Sequence, residues 1–259
     1  MPLLQKNGEQ IAYEVSGRGP ALVLLHSLGS SSHAWAAELE ALSDRFRVIA
    51  PDCRGHGRST NRTGITMEAM VDDLVALLDE LQVSQAHIAG LSLGGVQALR
   101  FYERHPARVR SLVLADTFAT YGRERAELRI RDTTLKLQEI TMEDFGREYA
   151  FGTLRPETAE NKKQALAEVI SRMQPQSYLE TAQACFMADL EHVLPLIRVP
   201  TLVMVGARDD RIPPEWPRGM ASSISGARYV EIPDAGHLAN LDQPEAFIGA
   251  LLAFLDQVS

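Results

Sequence analysis

The chain has only two cysteines in 259 residues, Cys53 and Cys185. They lie too far apart for a CxxC pair or a zinc-ligand spacing, so neither a disulfide framework nor a structural metal site is expected. Both read as reduced thiols of a cytoplasmic protein. Basic residues are in deficit: 26 Lys and Arg stand against 34 Asp and Glu, a formal charge of -8. That balance disfavours nucleic acid and anionic membrane as partners. No apolar run approaches membrane-spanning length. The start, MPLLQKNGEQ, lacks the basic-then-apolar pattern of a signal peptide. A dinucleotide fingerprint is missing too, because the Gly17-x-Gly19 pair precedes a strand instead of following one. No metal or organic cofactor is implied.

What is present is alternation. Short aliphatic runs at 11–15, 21–26, 46–50, 86–90, 111–115, 201–206 and 228–232 read as strands, and 3–6 pairs with 11–15 across an Asn7-Gly8 turn. The runs at 21–26, 111–115 and 201–205 are apolar almost throughout, as in parallel strands covered on both faces. Between them lie amphipathic helices at 66–81, with Thr66 as N-cap, at 95–105, and at 244–255 after a first-turn proline. The pattern predicts a doubly wound α/β fold of eight mostly parallel strands with helices on both faces. Residues 118–195 break the alternation. They are rich in Arg, Glu, Lys, Gln and Ala, show no strand-like run, and read as a helical cap inserted into a core of 1–117 and 196–259.

The stretch HIAGLSLGGVQ (87–97) carries the chemistry. Gly90-Leu91-Ser92-Leu93-Gly94 follows a strand and precedes a helix. That context turns G-x-S-x-G from a common turn into a nucleophile elbow. The turn strains the serine, so its close neighbours must lack side chains, and Gly95 lets the helix approach the sheet. A serine nucleophile needs a base, and the base an orienting acid. His237, in PDAGHLAN, stands after the 228–232 strand and before the last helix, where ligands bind in open α/β sheets. Among the other histidines, His56 lies in a turn, His87 begins a strand and His105 ends a helix. His33 and His192 read as solvated or interface residues, and His26, at a strand end, is the only serious competitor, but it belongs to a loop with another task. The acid is Asp209 by preference. Asp210 beside it is not excluded by spacing, and Asp116, also at a strand end, is the second choice. The order Ser92, Asp209, His237 is the one a nucleophile-elbow fold requires. Backbone donors for a tetrahedral intermediate are expected from Leu93, after the serine, and from Leu28 in the His26-Ser27-Leu28-Gly29 loop. Activity is expected to fail at acid pH, since the base must be neutral to accept the serine proton.

These residues resemble the α/β-hydrolase family over nearly the whole chain, through LVLLHSLGSSSHAW (22–35), PDCRGHGRS (51–59), GLSLGG (90–95), PTLVMVGARDDRIPP (200–214) and AGHLANLDQPEAF (235–247). The resemblance implies that PDCRGHGRS is structural, with Asp52 and Arg54 as network residues and His56 outside catalysis. Many members carry glycine where this chain has Ser27. The Ser-Leu-Gly loop is similar to that of the 3-oxoadipate enol-lactonases. The expected function is a serine esterase or lactonase acting through an acyl-enzyme on Ser92, with a small-molecule ester or lactone as its partner. The oligomeric state is not readable, and a homo-oligomer stays open. The same triad supports C–C bond hydrolysis of ring-cleavage dienoates and perhydrolysis. A small-molecule receptor on this fold is the alternative outside enzymes.

Substrate contacts are expected from His26, Ser27 and Trp35 in the first loop and from Arg129, Phe145 and Phe186 in the insertion. The most basic stretch there, 123–131, reads either as a solvated face with Glu127 pairing Arg131 or as the source of an arginine for a substrate carboxylate. Met142, Phe145, Phe151, Met173, Phe186 and Met187 line the pocket on one reading and form the insertion's own core on the other.

Overall fold

A computed structural model describes residues 2–258. Its eight strands are β1 (Leu3–Lys6), β2 (Glu9–Ser16), β3 (Ala21–Leu25), β4 (Arg47–Pro51), β5 (Ala86–Leu91), β6 (Val109–Ala115), β7 (Thr201–Gly206) and β8 (Arg228–Ile232). The helices are α1 (Ala36–Leu42), α2 (Met67–Glu80), α3 (Leu93–Arg104), α4 (Arg123–Glu139), α5 (Met142–Thr153), α6 (Glu160–Ser171), α7 (Pro175–Phe186), α8 (Glu215–Ser223), α9 (Ala239–Asp242) and α10 (Pro244–Leu255). Among the described residues, none of them is long and apolar enough to cross a membrane.

The sheet runs β1-β2-β4-β3-β5-β6-β7-β8, with β2 antiparallel to both of its neighbours, β1 and β4, and the other pairs parallel. Every residue of β3, β5 and β7 is buried, which is why those strands are apolar at nearly every position, His87 and Thr201 excepted. The Asn7-Gly8 hairpin has both turn residues at positive φ, 48° and 85°, the geometry that Asn-Gly favours. The strand order reverses about β3, so a crevice opens at the carboxyl ends of β3 and β5, the usual ligand position in such sheets. Leu25 at the end of β3 is in register with Gly90 of β5.

Several boundaries differ from expectation, most by one or two residues. The third helix starts at Leu93, two residues early, because the turn at Ser92 delivers the chain directly into helical geometry. The strand expected at 46–50 runs Arg47–Pro51, and Phe46 is buried in the core beneath it. The strand expected at 111–115 begins at Val109.

Between β6 and β7 the chain forms α4–α7, with α5 packed on α6 and α4 on α7. An isolated antiparallel bridge, Thr120 with Asp189, closes the neck of this excursion, and Leu190 N–H donates to Ala119 O at 2.9 Å. The basic stretch pairs otherwise than expected. Glu127 meets Arg123 at 3.5 Å and Arg131 meets Asp132 at 3.2 Å, so the expected Glu127–Arg131 pair is not made.

The PDCRGHGRS turn is a buried polar hub. Arg54 donates from Nε and Nη2 to the two carboxylate oxygens of Asp73, at 2.9 and 2.8 Å. The Asp52 carboxylate accepts from the N–H groups of Ser32 and Arg58, at 2.7 and 3.0 Å, and ties this turn to the loop after β3. His56 is fully buried in it, and burial, then the neighbouring His26, pushes its imidazole down to about 3.

Candidate active site

Ser92 sits at the β5–α3 turn with φ 54° and ψ -114°, a conformation L residues seldom adopt. The surroundings enforce it. Ser92 N–H donates to Ala115 O at 2.9 Å, and its carbonyl accepts from Gly95 N–H at 2.9 Å and Thr117 Oγ1 at 2.6 Å. A Cβ on Gly90 would overlap the Gly94 carbonyl, and one on Gly94 would overlap the Leu25 carbonyl, so both must be glycine for the turn to seat on β3. Gly95 faces Thr117 of the β6 end just as closely.

His237 Nε2 lies 3.0 Å from Ser92 Oγ, and His237 Nδ1 lies 2.9 Å from Asp209 Oδ2. With its proton on Nδ1, the ring donates to Asp209 and accepts from the serine hydroxyl. The second Asp209 oxygen accepts from the N–H groups of Arg211 and Ile212, at 2.8 and 3.1 Å, which fixes the carboxylate in plane. The three acids left open by the sequence therefore separate. Asp210 is exposed beside the cavity. Asp116 is fully buried, and its oxygens accept from Gly206 N–H and Ala239 N–H, at 2.7 and 3.3 Å, so it braces the two loops that carry Asp209 and His237. Burial and the charge of Asp209 hold its carboxyl well above the usual range. Sequence reading missed Asp242, whose carboxylate accepts from Gly236 N–H at 2.8 Å and Arg155 N–H at 3.0 Å. It fastens the His237 loop to the segment between α5 and α6.

His26 is not a substrate contact. Its ring is buried: Nδ1 donates to Ser27 O at 2.8 Å, and Nε2 accepts from Cys53 N–H at 2.9 Å. This explains the tolerance of Ser27. The Ser27 carbonyl also accepts from Ser30 N–H at 3.1 Å. In a planar trans peptide the following N–H, that of Leu28, points the opposite way. The left-handed residue of the loop is Gly29, φ 75°, so position 27 has no need of glycine. Leu28 lines the same cavity as Ser92, and the N–H groups of Leu28 and Leu93 donate to nothing in the described chain.

That cavity has a volume of about 390 Å³. Arg129 and Phe186 line it, as expected. Trp35, Phe145 and Ser27 do not: Trp35 packs on Phe247 with ring centroids 5.9 Å apart, and Phe145 meets Tyr178 edge-on at 4.9 Å. Phe145 thus belongs to the insertion's own core and supports Tyr178, which lines the cavity. Arg211 also lines it and was not expected. Its guanidinium stacks 5.0 Å from the Tyr149 ring centroid and donates to Gly152 O at 3.3 Å. The signal was legible, two residues after Asp209 in a loop already assigned to the site. Arg129 and Arg211 both face the cavity without a carboxylate partner among the described residues. Cys185 lines it as well, with burial holding its thiol far up in the protonated form.

Residues 20–244 match the family model described as alpha/beta hydrolase fold. The chain is 28% identical over 263 residues to 3-oxoadipate enol-lactonase 1 of Acinetobacter baylyi, covering 99% of this chain and 97% of that one. It is 32% identical over 254 residues to the pimeloyl-[acyl-carrier protein] methyl ester esterase of Nitrosomonas europaea, covering 92% and 96%. Among solved structures, the enol-lactonase from Burkholderia xenovorans LB400 superposes with a TM-score of 0.89 at 31% identity, over 98% of this chain and 100% of that one.

Proposed function

The chain belongs to the alpha/beta hydrolase family, and we propose that it cleaves a small carboxylic ester or lactone that itself carries a carboxylate, through an acyl-enzyme on Ser92. The observation that carries the reading is the continuous chain from Ser92 Oγ through His237 to Asp209 beside two unengaged N–H groups. Ser92 Oγ attacks the carbonyl carbon as His237 Nε2 takes its proton. The oxygen that becomes negative is met by the N–H groups of Leu28 and Leu93, fixed before the reaction begins and so costing no reorganisation. His237 passes the proton to the leaving oxygen, the C–O bond breaks, and the same imidazole then draws a proton from water to hydrolyse the acyl-enzyme. Asp209 holds the ring in the required tautomer and stabilises the imidazolium. Residues 118–195 act as the cap over the site. The similarity to chains named enol-lactonase and methyl ester esterase supports the reaction class.

The substrate carboxylate is inferred from Arg129 and Arg211, two guanidiniums facing one small cavity, neither of them in an ion pair among the described residues although Asp210 also lines it. Arg129→Gln and Arg211→Gln are each expected to raise KM for a carboxylated lactone or monoester about tenfold, the scale of one charge-assisted hydrogen bond. KM for a neutral ester of the same length should shift far less. Equal effects on both would remove the carboxylate from the proposal. The hydrolytic reading is tested separately by labelling with a fluorophosphonate, which requires Ser92; an unlabelled native protein would favour a receptor on this fold.

A further inference from the structure

The larger of two adjoining cavities is not the one that holds Ser92. It measures about 670 Å³ and lies between residues 118–125, α8 and the turn Glu191–Leu196. Its floor is apolar, with buried Leu194 and Met220 and the ring of Trp216, over which the Arg125 guanidinium lies 5.4 Å from the centroid, and its mouth carries exposed Arg123, Glu124 and Glu215. Among the described residues, only Phe118 and Tyr121 line both cavities.

These two residues differ in freedom. Phe118 is 1% exposed and stacked on Phe186, with centroids 6.1 Å apart. Tyr121 is half-buried. Its ring meets Phe186 at 4.8 Å and Trp216 at 5.4 Å, and its hydroxyl has no hydrogen-bond partner among the described residues. The residue before it, Thr120, is pinned by the bridge to Asp189. The residue after it, Gly122, has φ 79° with open space around it. Phe118 is therefore the fixed part of the partition and Tyr121 the movable part, held by ring contacts alone.

We propose that Tyr121 sets the acyl-chain length this hydrolase accepts, and that the 670 Å³ cavity behind it is a further subsite for the distal part of an aliphatic acyl chain. The inference rests on the serine-hydrolase reading above. The bond cleaved is the same ester C–O bond, with water as the second reactant. An apolar floor behind a charged mouth suits methylene groups inside and a polar chain end at the surface.

The test compares p-nitrophenyl butyrate with p-nitrophenyl octanoate. In Tyr121→Ala, the octanoate-to-butyrate ratio of kcat/KM is expected to rise tenfold or more over the native ratio. Tyr121→Phe should keep the native ratio, since the hydroxyl holds nothing. Gly219 lines the far cavity, and a side chain added there meets nothing within 4 Å. Adding Gly219→Trp to Tyr121→Ala should fill the subsite and return the ratio towards native. An unmoved ratio in Tyr121→Ala, or a gain that Gly219→Trp leaves intact, overturns the proposal. A second readout needs no turnover. Trp216 lines this cavity, whereas the chain's other tryptophan, Trp35, is buried against Phe247. Octanoate should shift Trp216 fluorescence saturably in Tyr121→Ala carrying Ser92→Ala, and butyrate should not. No shift overturns the subsite, whereas absent turnover of both esters by the native chain overturns only the hydrolase reading.

Discussion

Ser92→Ala is expected to lower kcat/KM for p-nitrophenyl acetate by about 10⁴-fold or more, with the fold intact. Alanine keeps the Cβ that the φ 54° turn already accommodates, and the backbone bonds that hold the turn do not involve Oγ. The loss is thus confined to the attacking oxygen. The residual rate would measure what the Leu28 and Leu93 N–H groups and the cavity supply by themselves. Asp209→Asn should cost about 10⁴-fold by favouring the wrong imidazole tautomer. Asp116→Asn should cost far less, because the Asp116 oxygens accept from Gly206 N–H and Ala239 N–H and make no bond to the imidazole. Comparable losses for Asp209→Asn and Asp116→Asn would contradict the division of labour between them, and full activity in Ser92→Ala would end the acyl-enzyme mechanism.

Glu38→Gln is expected to stabilise the protein, and to do so only as the pH rises. Glu38 lies on α1 with both carboxyl oxygens buried and unpartnered. Burial pushes its carboxyl up to about 8 from 4.5, and the attraction of Lys162 offsets this only in part. The folded state therefore keeps a proton that the unfolded chain releases. The stability this confers is fully present below pH 4.5 and is lost as the pH rises through about 8. Glutamine does not titrate, so it escapes that loss. The Tm difference between variant and native chain should be small at pH 5, widen through neutrality and level off near pH 9. At its limit it corresponds to on the order of 4–5 kcal/mol, or about 10 °C for a chain of this size. A Tm difference independent of pH would show that Glu38 is not titrating on unfolding.

The periodicity of the chain was enough for the sheet. β3, β5 and β7 are almost wholly apolar because helices cover both faces, and the two polar residues there, His87 and Thr201, each have a hydrogen-bond partner, Ser111 Oγ and Val199 O. The Asn7-Gly8 turn, the Thr66 cap and the Pro244 start are local chemistry, and each appears where the sequence places it. The helix after Ser92 began early because its boundary is set by the strained serine and not by the hydrophobic stripe. Contacts that depend on a third element were not legible. Trp35 looks like a pocket residue from its motif but is consumed by Phe247 of α10. His26 looks like a catalytic competitor but is spent holding the Ser27 carbonyl and the Cys53 N–H.

What the sequence determines by itself is the fold, the elbow at Ser92 and the identity of its histidine, because strand–turn–helix order and loop position are properties of nearest neighbours along the chain. What only the tertiary structure decides is selection among equals. Asp209, Asp210 and Asp116 are alike in type and all near strand ends, and one hydrogen bond of 2.9 Å separates them. Arg129 and Arg211, 82 positions apart, meet in one cavity because α4 and the loop after β7 converge there. The placing of Tyr121 between two cavities likewise follows from Phe186 of α7 and Trp216 of α8 both packing against its ring. Distances between segments remote in sequence arise from packing, and packing has no local signature in the chain.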